Sequence, residues 1–278
     1  MKGLPKAIAI IPARMGSTRF PGKPLASDTG KPMVVHVCEQ AKKAELVSNV
    51  VVATDSHDVR KAVEDHGFDA VMTSAEHENG TSRLAEAAQN LRLKDRHYII
   101  NVQGDEPEIE PETIDSALIA LFSLATKELS ELSGFGHERR LGTVATPFID
   151  DEDVADPNLV KVVTGLMQFI ADLTQPSLSI GRALYFSRAS IPFDRDSANE
   201  TARFRHVGIY AYTAYSLREY AKLPPTPLEE CEKLEQLRWL EHGLPIAVAV
   251  RRCSHQGIDT PEQYAAFVER FKDDRARA

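Results

Sequence analysis

Apolar residues occur in short runs along this chain. Between the runs they recur every third or fourth position. Ala7–Ile11, Asn49–Ala53 and Tyr98–Val102 are short and rich in Ile and Val, which predicts strands buried on both faces of a sheet. Asp69–Met72 reads as another short strand. The intervening stretches carry helical spacing. Met33–Ala44 places Val34, Val37, Cys38 and Ala41 on one face. Asp58–His66 follows a capping segment, Thr54-Asp55-Ser56, and ends at Gly67. A third helix begins at Thr81 or Ser82 and runs to about Leu91. A fourth begins at Pro111 and lines up Ile114, Leu118 and Leu121.

Strand and helix therefore alternate through the first part of the chain. That order predicts an α/β fold with a mostly parallel, Rossmann-like sheet and helices on both faces. Further on the pattern is less regular. Lys127–Arg140 is polar and Gly-bearing, which predicts a surface loop. Thr143–Phe148, Leu159–Val163, Phe204–Tyr212 and Ile246–Val250 read as strands, while Thr164–Arg182 fits no single period. Leu223–Pro227 is a proline-rich hinge, and Leu228–Glu241 reads as one charged helix stopped by Gly243. On that helix Glu235 would share a face with Leu228, Cys231 and Trp239. Thr260-Pro261-Glu262 opens a last helix.

The 278 residues are 42% hydrophobic, enough for a full core without disulfides. A net charge of −8 opposes general nucleic-acid binding, so any anionic ligand needs a local cluster of cations. The three cysteines are odd in number and far apart, with no CxxC, which argues against a zinc site or a disulfide framework. Pro12 interrupts the first apolar run, so it does not read as a secretory signal. No run approaches the roughly 20 apolar residues that span a bilayer. The expectation is a cytoplasmic protein with no membrane partner.

The candidate chemistry begins in the loop after the first strand. It crowds Gly16, Gly22 and two prolines with the cations Arg14, Arg19 and Lys23. Backbone N–H groups can approach an anion where glycine leaves room, and cations offset its charge. A nucleoside triphosphate is the natural guest, and an exposed basic turn is the plain alternative. The loop is not a Walker A motif: Gly16 to Gly22-Lys23 is one residue too long, and Pro24 stands where Ser or Thr would hold magnesium. Asp105 follows the fourth strand within Gln103-Gly104-Asp105-Glu106-Pro107, at a tip where a carboxylate can hold Mg²⁺ or merely form a turn. Asp259, before Thr260-Pro261, could complete a metal site with it or could cap the last helix.

Ile11-Pro12-Ala13-Arg14 followed by Ser17-Thr18-Arg19-Phe20-Pro21-Gly22-Lys23-Pro24-Leu25 resembles the nucleotide loop of the 3-deoxy-manno-octulosonate (Kdo) cytidylyltransferases, or CMP-Kdo synthetases. The resemblance continues through Gly80-Thr81-Ser82-Arg83-Leu84, Asn101-Val102-Gln103-Gly104-Asp105-Glu106-Pro107, Tyr185-Phe186-Ser187-Arg188, Ile191-Pro192-Phe193-Asp194-Arg195, His206-Val207-Gly208-Ile209-Tyr210, Lys233-Leu234-Glu235-Gln236 and Asp259-Thr260-Pro261-Glu262. It covers nearly the whole chain.

The resemblance implies a single nucleotidyltransferase domain over residues 1–278, of the nucleotide-diphospho-sugar transferase type. Within it, a smaller lobe at about 183–225 would serve sugar binding and dimerisation. The implied reaction transfers CMP from CTP to the anomeric 2-hydroxyl of Kdo, releases pyrophosphate and feeds lipopolysaccharide synthesis. By this likeness Arg14, Arg19 and Lys23 hold the triphosphate. Ala13, Gly16, Ser17, Thr73, Gly80, Arg83 and Gln103 line the cytidine pocket, and Asp105 and Asp259 ligate Mg²⁺. Arg188, Arg195, His206, Tyr210, Glu235 and Gln236 face the sugar acid, whose carboxylate suits an arginine fork or a histidine.

The chain departs from the family pattern in four places, one being Met15-Gly16 where a Tyr-Ala or Tyr-Gly pair is usual. The stretch before Tyr185 is longer, the loop between Arg195 and His206 is shorter, and Phe20 replaces a leucine. An 8-amino analogue of Kdo or another sugar acid is an alternative substrate. A catalytically silent nucleotide-binding module is the alternative of another class. The resemblance also implies a homodimer.

Overall fold

A computed structural model describes residues 4–16, 19–77, 79–123, 140–148, 152–169, 178–195 and 203–277. The loop expected over Lys127–Arg140 lies almost wholly outside them, as does the middle of Thr164–Arg182. The chain divides into two compact units. One comprises residues 5–93, 99–114 and 254–278; the other comprises 1–4, 94–98 and 115–253.

The first unit contains β1 (Ala7–Ala13), β2 (Val47–Thr54), β3 (Asp69–Met72) and most of β4 (Tyr98–Asn101), in the order β3-β2-β1-β4. β1 and β2 run parallel, as do β2 and β3, with Ala13 opposite Thr54 and Thr54 opposite Met72. Three strands thus end level, and the loops that follow them leave from one edge. Helices α1 (Met33–Lys43), α2 (His57–Asp65) and α3 (Gly80–Asn90) connect the strands. Ser56 caps α2 and Asn79 caps α3, each side chain accepting a backbone N–H of the first turn.

The last helix, α8 (Pro261–Arg277), belongs to this unit and packs Tyr264, Phe267 and Val268 against Met33 of α1 and Ile258. Phe20 of the basic loop sits against Tyr264 with ring centroids 5.5 Å apart, so the departure from leucine fills an aromatic contact. His36 on α1 is buried edge-on between Phe267 and Phe271, with Nε2 2.7 Å from the Thr29 hydroxyl.

Burial pushes the pKa of His36 down to about 4, with the nearby Lys31 ammonium adding to the effect. Between pH 6.5 and 4 the unfolded chain therefore binds a proton that the folded ring refuses. Stability from this residue is complete above about pH 6.5 and is lost as pH falls towards 4, by up to about 3 kcal/mol. His206 in the other unit, held near 3, drifts the same way. Thermal melts across pH 4–7 isolate the His36 share: His36→Gln is expected to flatten the acid slope. An unchanged slope would contradict this account.

The second unit contains β5 (Leu141–Pro147), β6 (Lys161–Phe169), β7 (Ser179–Ser187), β8 (Phe204–Thr213) and β9 (Ile246–Val250). Their order is β8-β5-β9-β7-β6, and a further β6–β8 pairing joins the two ends of that order. Among the described residues β5–β9 is parallel, whereas β5–β8, β6–β7, β6–β8 and β7–β9 are antiparallel. The α/β class holds, but the expectation of a mostly parallel arrangement is corrected to a mixed one. Antiparallel neighbours need no helical crossover, so strands β6 to β8 follow one another without a helix among the described residues.

A second correction concerns Leu228–Glu241. It is two helices, α6 (Pro227–Glu232) and α7 (Glu235–Glu241), separated at Lys233, which adopts a left-handed φ of 55°. Glu235 therefore does not continue a face with Leu228 and Cys231. Trp239 is fully buried while Cys231 is exposed. Helix α5 (Ala214–Tyr220) precedes them. A bidentate Arg238–Glu229 pair, both contacts 2.6 Å, ties α7 back to α6, with the guanidinium over the Tyr220 ring. No helix among the described residues is long and apolar enough to cross a membrane.

Candidate active site

The even strand ends of the first unit put chemistry on one edge. Ligands of open α/β sheets gather outside the carboxyl ends of their strands. After β1 the chain enters the basic loop. Gly22, at a left-handed φ of 74°, turns it into a short 3-10 segment, Lys23–Leu25. Lys23 is buried to 9% exposure, and its ammonium is surrounded by oxygen. It donates to Asp105 Oδ2 at 2.9 Å, to the Ile258 carbonyl at 2.7 Å and to Asp259 Oδ1 at 3.3 Å. The loop carrying Asp105 lies against β1 because residue 104 is glycine: a Cβ there would stand 2.6 Å from the Pro12 carbonyl oxygen. The Ile258 N–H donates to the Asp105 carbonyl at 2.8 Å and closes the arrangement. Crowding by protein pushes the Asp105 carboxyl above its ordinary value, and the Lys23 ammonium opposes that push.

The helix cap offered as an alternative role for Asp259 comes from its neighbour. Thr260 Oγ1 accepts from the Gln263 N–H, while Gln263 Oε1 accepts the N–H groups of Asp259 and Thr260. The Asp259 carboxylate is free of that duty and meets Lys23 and the Arg19 guanidinium, the latter at 2.9 Å. Two carboxylates and a carbonyl around one cation form an all-oxygen donor set, the chemistry a hard divalent ion such as Mg²⁺ requires. The residues present therefore fit the metal that the sequence led us to expect. Among the described residues no cluster of three or more His, Cys, Asp or Glu side chains adds to them.

The other nucleotide candidates lie around the same edge. Arg83, on the first turn of α3, is buried and donates to the Thr73 hydroxyl at 2.7 Å and to Asp55 Oδ2 at 2.9 Å. Thr73 follows β3 and Asp55 follows β2, so one guanidinium ties two strand ends to a helix. Gly80 opens α3 with space beside Pro12, and Ala13 closes β1. Gln103 follows β4 and is partly buried, whereas Arg14 and Gly16 are exposed. Ser17 lies outside the described residues.

The sugar-acid candidates all lie in the second unit. Arg188 follows β7; its Nε donates to the Glu232 carbonyl at 2.7 Å and its Nη1 to the Pro157 carbonyl at 2.8 Å. Its side chain is thus held by neutral carbonyls. Glu232 spends its carboxylate on the Ser187 hydroxyl and the Arg188 N–H. His206 and Tyr210 share a face of β8, with ring centroids 5.4 Å apart. Burial holds the His206 pKa at about 3, so the ring is neutral and cannot serve as the cation for a carboxylate; that task falls to arginine. Burial pushes the Tyr210 phenol well up, with the charge of Glu235 adding to the shift. Gln236 is buried on the first turn of α7, and Arg195 is exposed.

The cytidylyltransferase family profile matches residues 8–247. A 3-deoxy-manno-octulosonate cytidylyltransferase of Geobacter sulfurreducens is 43% identical, over 95% of this chain and 98% of its own length. That of Neisseria gonorrhoeae (strain NCCP11945) is 44% identical over 92% and 94%. This chain belongs to the Kdo cytidylyltransferase family. A solved CMP:2-keto-3-deoxy-manno-octonic acid synthetase complexed with CTP superposes with a TM-score of 0.81 at 35% identity, covering 97% and 99% of the two chains. A 4-diphosphocytidyl-2C-methyl-D-erythritol synthase, at 13% identity and a TM-score of 0.53, shares the fold.

In this Kdo cytidylyltransferase family member, several supporting residues carry little signal in the sequence. Asp55 looked like a helix start, although it follows a buried strand just as Asp105 does. Lys161 on β6 has no exposed surface and donates to the carbonyls of Asp156 and Arg188, at 2.9 and 2.6 Å. Burial pushes its ammonium down. A lysine inside an apolar strand was the available signal. Glu232, one of several carboxylates on the charged stretch Leu228–Glu241, gave none.

Proposed function

We propose that this chain transfers CMP from CTP to the anomeric 2-hydroxyl of Kdo, releasing pyrophosphate and supplying CMP-Kdo for lipopolysaccharide synthesis in the cytoplasm. The observation that carries this reading is the Lys23 ammonium gathering Asp105, Asp259 and the Ile258 carbonyl on the edge where the basic loop begins. The names borne by its relatives support the choice of CTP and Kdo.

Each residue then has a task. Arg14, Arg19 and Lys23 offset the charge of the triphosphate and of the departing pyrophosphate. Arg83, braced by Asp55 and Thr73, keeps the walls of the cytidine pocket rigid. Ala13, Gly16, Gly80 and Gln103 complete those walls, and the family resemblance adds Ser17 to them. Asp105 and Asp259 would hold Mg²⁺, which supplies neutralisation of phosphate charge and acidification of the sugar hydroxyl. No protein base is assigned. In the second unit, Arg188 and Arg195 meet the sugar carboxylate, and His206, Tyr210, Glu235 and Gln236 meet its hydroxyls. A homodimer built through the 183–225 segment belongs to the same reading.

Pyrophosphate release measured with CTP and each of Kdo, 8-amino-Kdo and sialic acid tests it. Turnover is expected with Kdo and Mg²⁺ and should vanish with EDTA. A preference for 8-amino-Kdo would replace the substrate, and silence with every sugar acid would end the enzymatic reading.

A further inference from the structure

Strands β5 and β8 slip out of register next to the sugar-acid candidates. Thr143 pairs with Tyr210, but Val144 pairs with Val207, which leaves Gly208 and Ile209 bulged from the ladder. The Thr143 hydroxyl fills the gap by donating to the Ile209 carbonyl at 2.7 Å; the Val207 carbonyl is more distant at 3.5 Å. A carbonyl cannot donate, so this separation requires the hydroxyl proton to lie between the two oxygens. A threonine has only that one proton. His206 Nε2 lies 2.9 Å from the same hydroxyl oxygen. That oxygen can only accept here, so Nε2 must carry the hydrogen. A neutral imidazole has one N–H, which leaves Nδ1 as a lone-pair acceptor.

We propose that Thr143 is a positioning residue that fixes His206 as its Nε2–H tautomer, so that Nδ1 accepts a hydrogen bond from a hydroxyl of the sugar acid. This rests on the reading that the second unit binds that substrate. Three further observations agree with it. The His206 ring is wedged between Phe186, at 5.0 Å, and Tyr210, so it cannot turn freely. Burial keeps it uncharged. Glu235 lies close enough to Tyr210 for its charge to act on the phenol, which places a carboxylate near the same corner. An uncharged acceptor beside a carboxylate suits the hydroxylated part of a sugar acid and not its carboxylate. The bulge thus sets the hydrogen-bond polarity of the subsite through one hydroxyl proton.

Long-range proton–nitrogen spectra of the full chain with ¹⁵N-labelled histidine read the tautomer directly, with His206→Asn assigning the signal. The free protein is expected to show Nε2 protonated and Nδ1 bare, and Kdo should shift the Nδ1 resonance. Thr143→Val should disturb that tautomer and raise KM for Kdo by about tenfold, the worth of one hydrogen bond, with the loss falling on KM rather than kcat. Thr143→Ser should restore both. An Nδ1–H signal in the free parent protein would overturn the proposal. So would a Thr143→Val enzyme with the parent KM. If the parent protein instead turns over no sugar acid, the reading of the substrate fails, and the tautomer stands or falls on the spectra alone.

Discussion

Replacing Asp105 with alanine is expected to cut turnover by about a thousandfold, because the carboxylate does three things at once. It supplies an oxygen to the proposed metal set, holds the Lys23 ammonium at 2.9 Å, and sits on a loop that packs against β1 through Gly104. Removing it leaves Lys23 with the Ile258 carbonyl and Asp259. Charge balance on the edge then changes where phosphate charge must be met. Affinity for CTP measured calorimetrically in EDTA should stay close to that of the parent, because the basic loop survives. Asp105→Asn, which keeps the shape and loses the charge, should fail almost as badly. A variant turning over within tenfold of the parent would show that this carboxylate is not where the reaction is supported. A protein that merely binds nucleotide would lose nothing in either variant.

Arg83→Met is expected to lower stability by about 3 kcal/mol, a fall in melting temperature of about 10 °C. The cost comes from what is left behind. Asp55 is mostly buried, and its carboxylate would lose its 2.9 Å guanidinium partner. The Thr73 hydroxyl would lose its donor. A mostly buried charge without a partner costs more than the ion pair contributes, so the double variant Arg83→Met with Asp55→Asn should recover much of the loss. Calorimetric melts of the three proteins decide this. If the single variant melts with the parent, the guanidinium is not bracing the strand ends. If the double variant melts below the single one, the stranded carboxylate is not the source of the cost.

The first unit was largely legible because parallel strands buried on both faces announce themselves as apolar runs, and β1, β2 and β4 all do so. The second unit was less so. Strand direction leaves no trace in composition, so nothing in Thr143–Phe148 or Ile246–Val250 distinguishes the parallel pair from its antiparallel neighbours. The break between α6 and α7 falls on Lys233, a residue with no special tolerance for a left-handed backbone, where sequence offers neither glycine nor proline. In the candidate site, Lys23, Asp105 and Asp259 were readable as residues that follow strands or precede a helix, and their meeting is what the family resemblance implied. Thr260 as the true cap was readable from Gln263 three positions on. Glu232 and Thr143 were not. They act by holding neighbours brought near through tertiary packing, and local sequence carries no record of that.

The ammonium of Lys23 has one more effect. Two carboxylates left facing each other across a sheet edge would repel, and their loops would drift apart until a cation arrived to collect them. Here the protein brings its own. The Mg²⁺ of the proposed function would meet carboxylates already gathered, with that reorganisation completed when the chain folded.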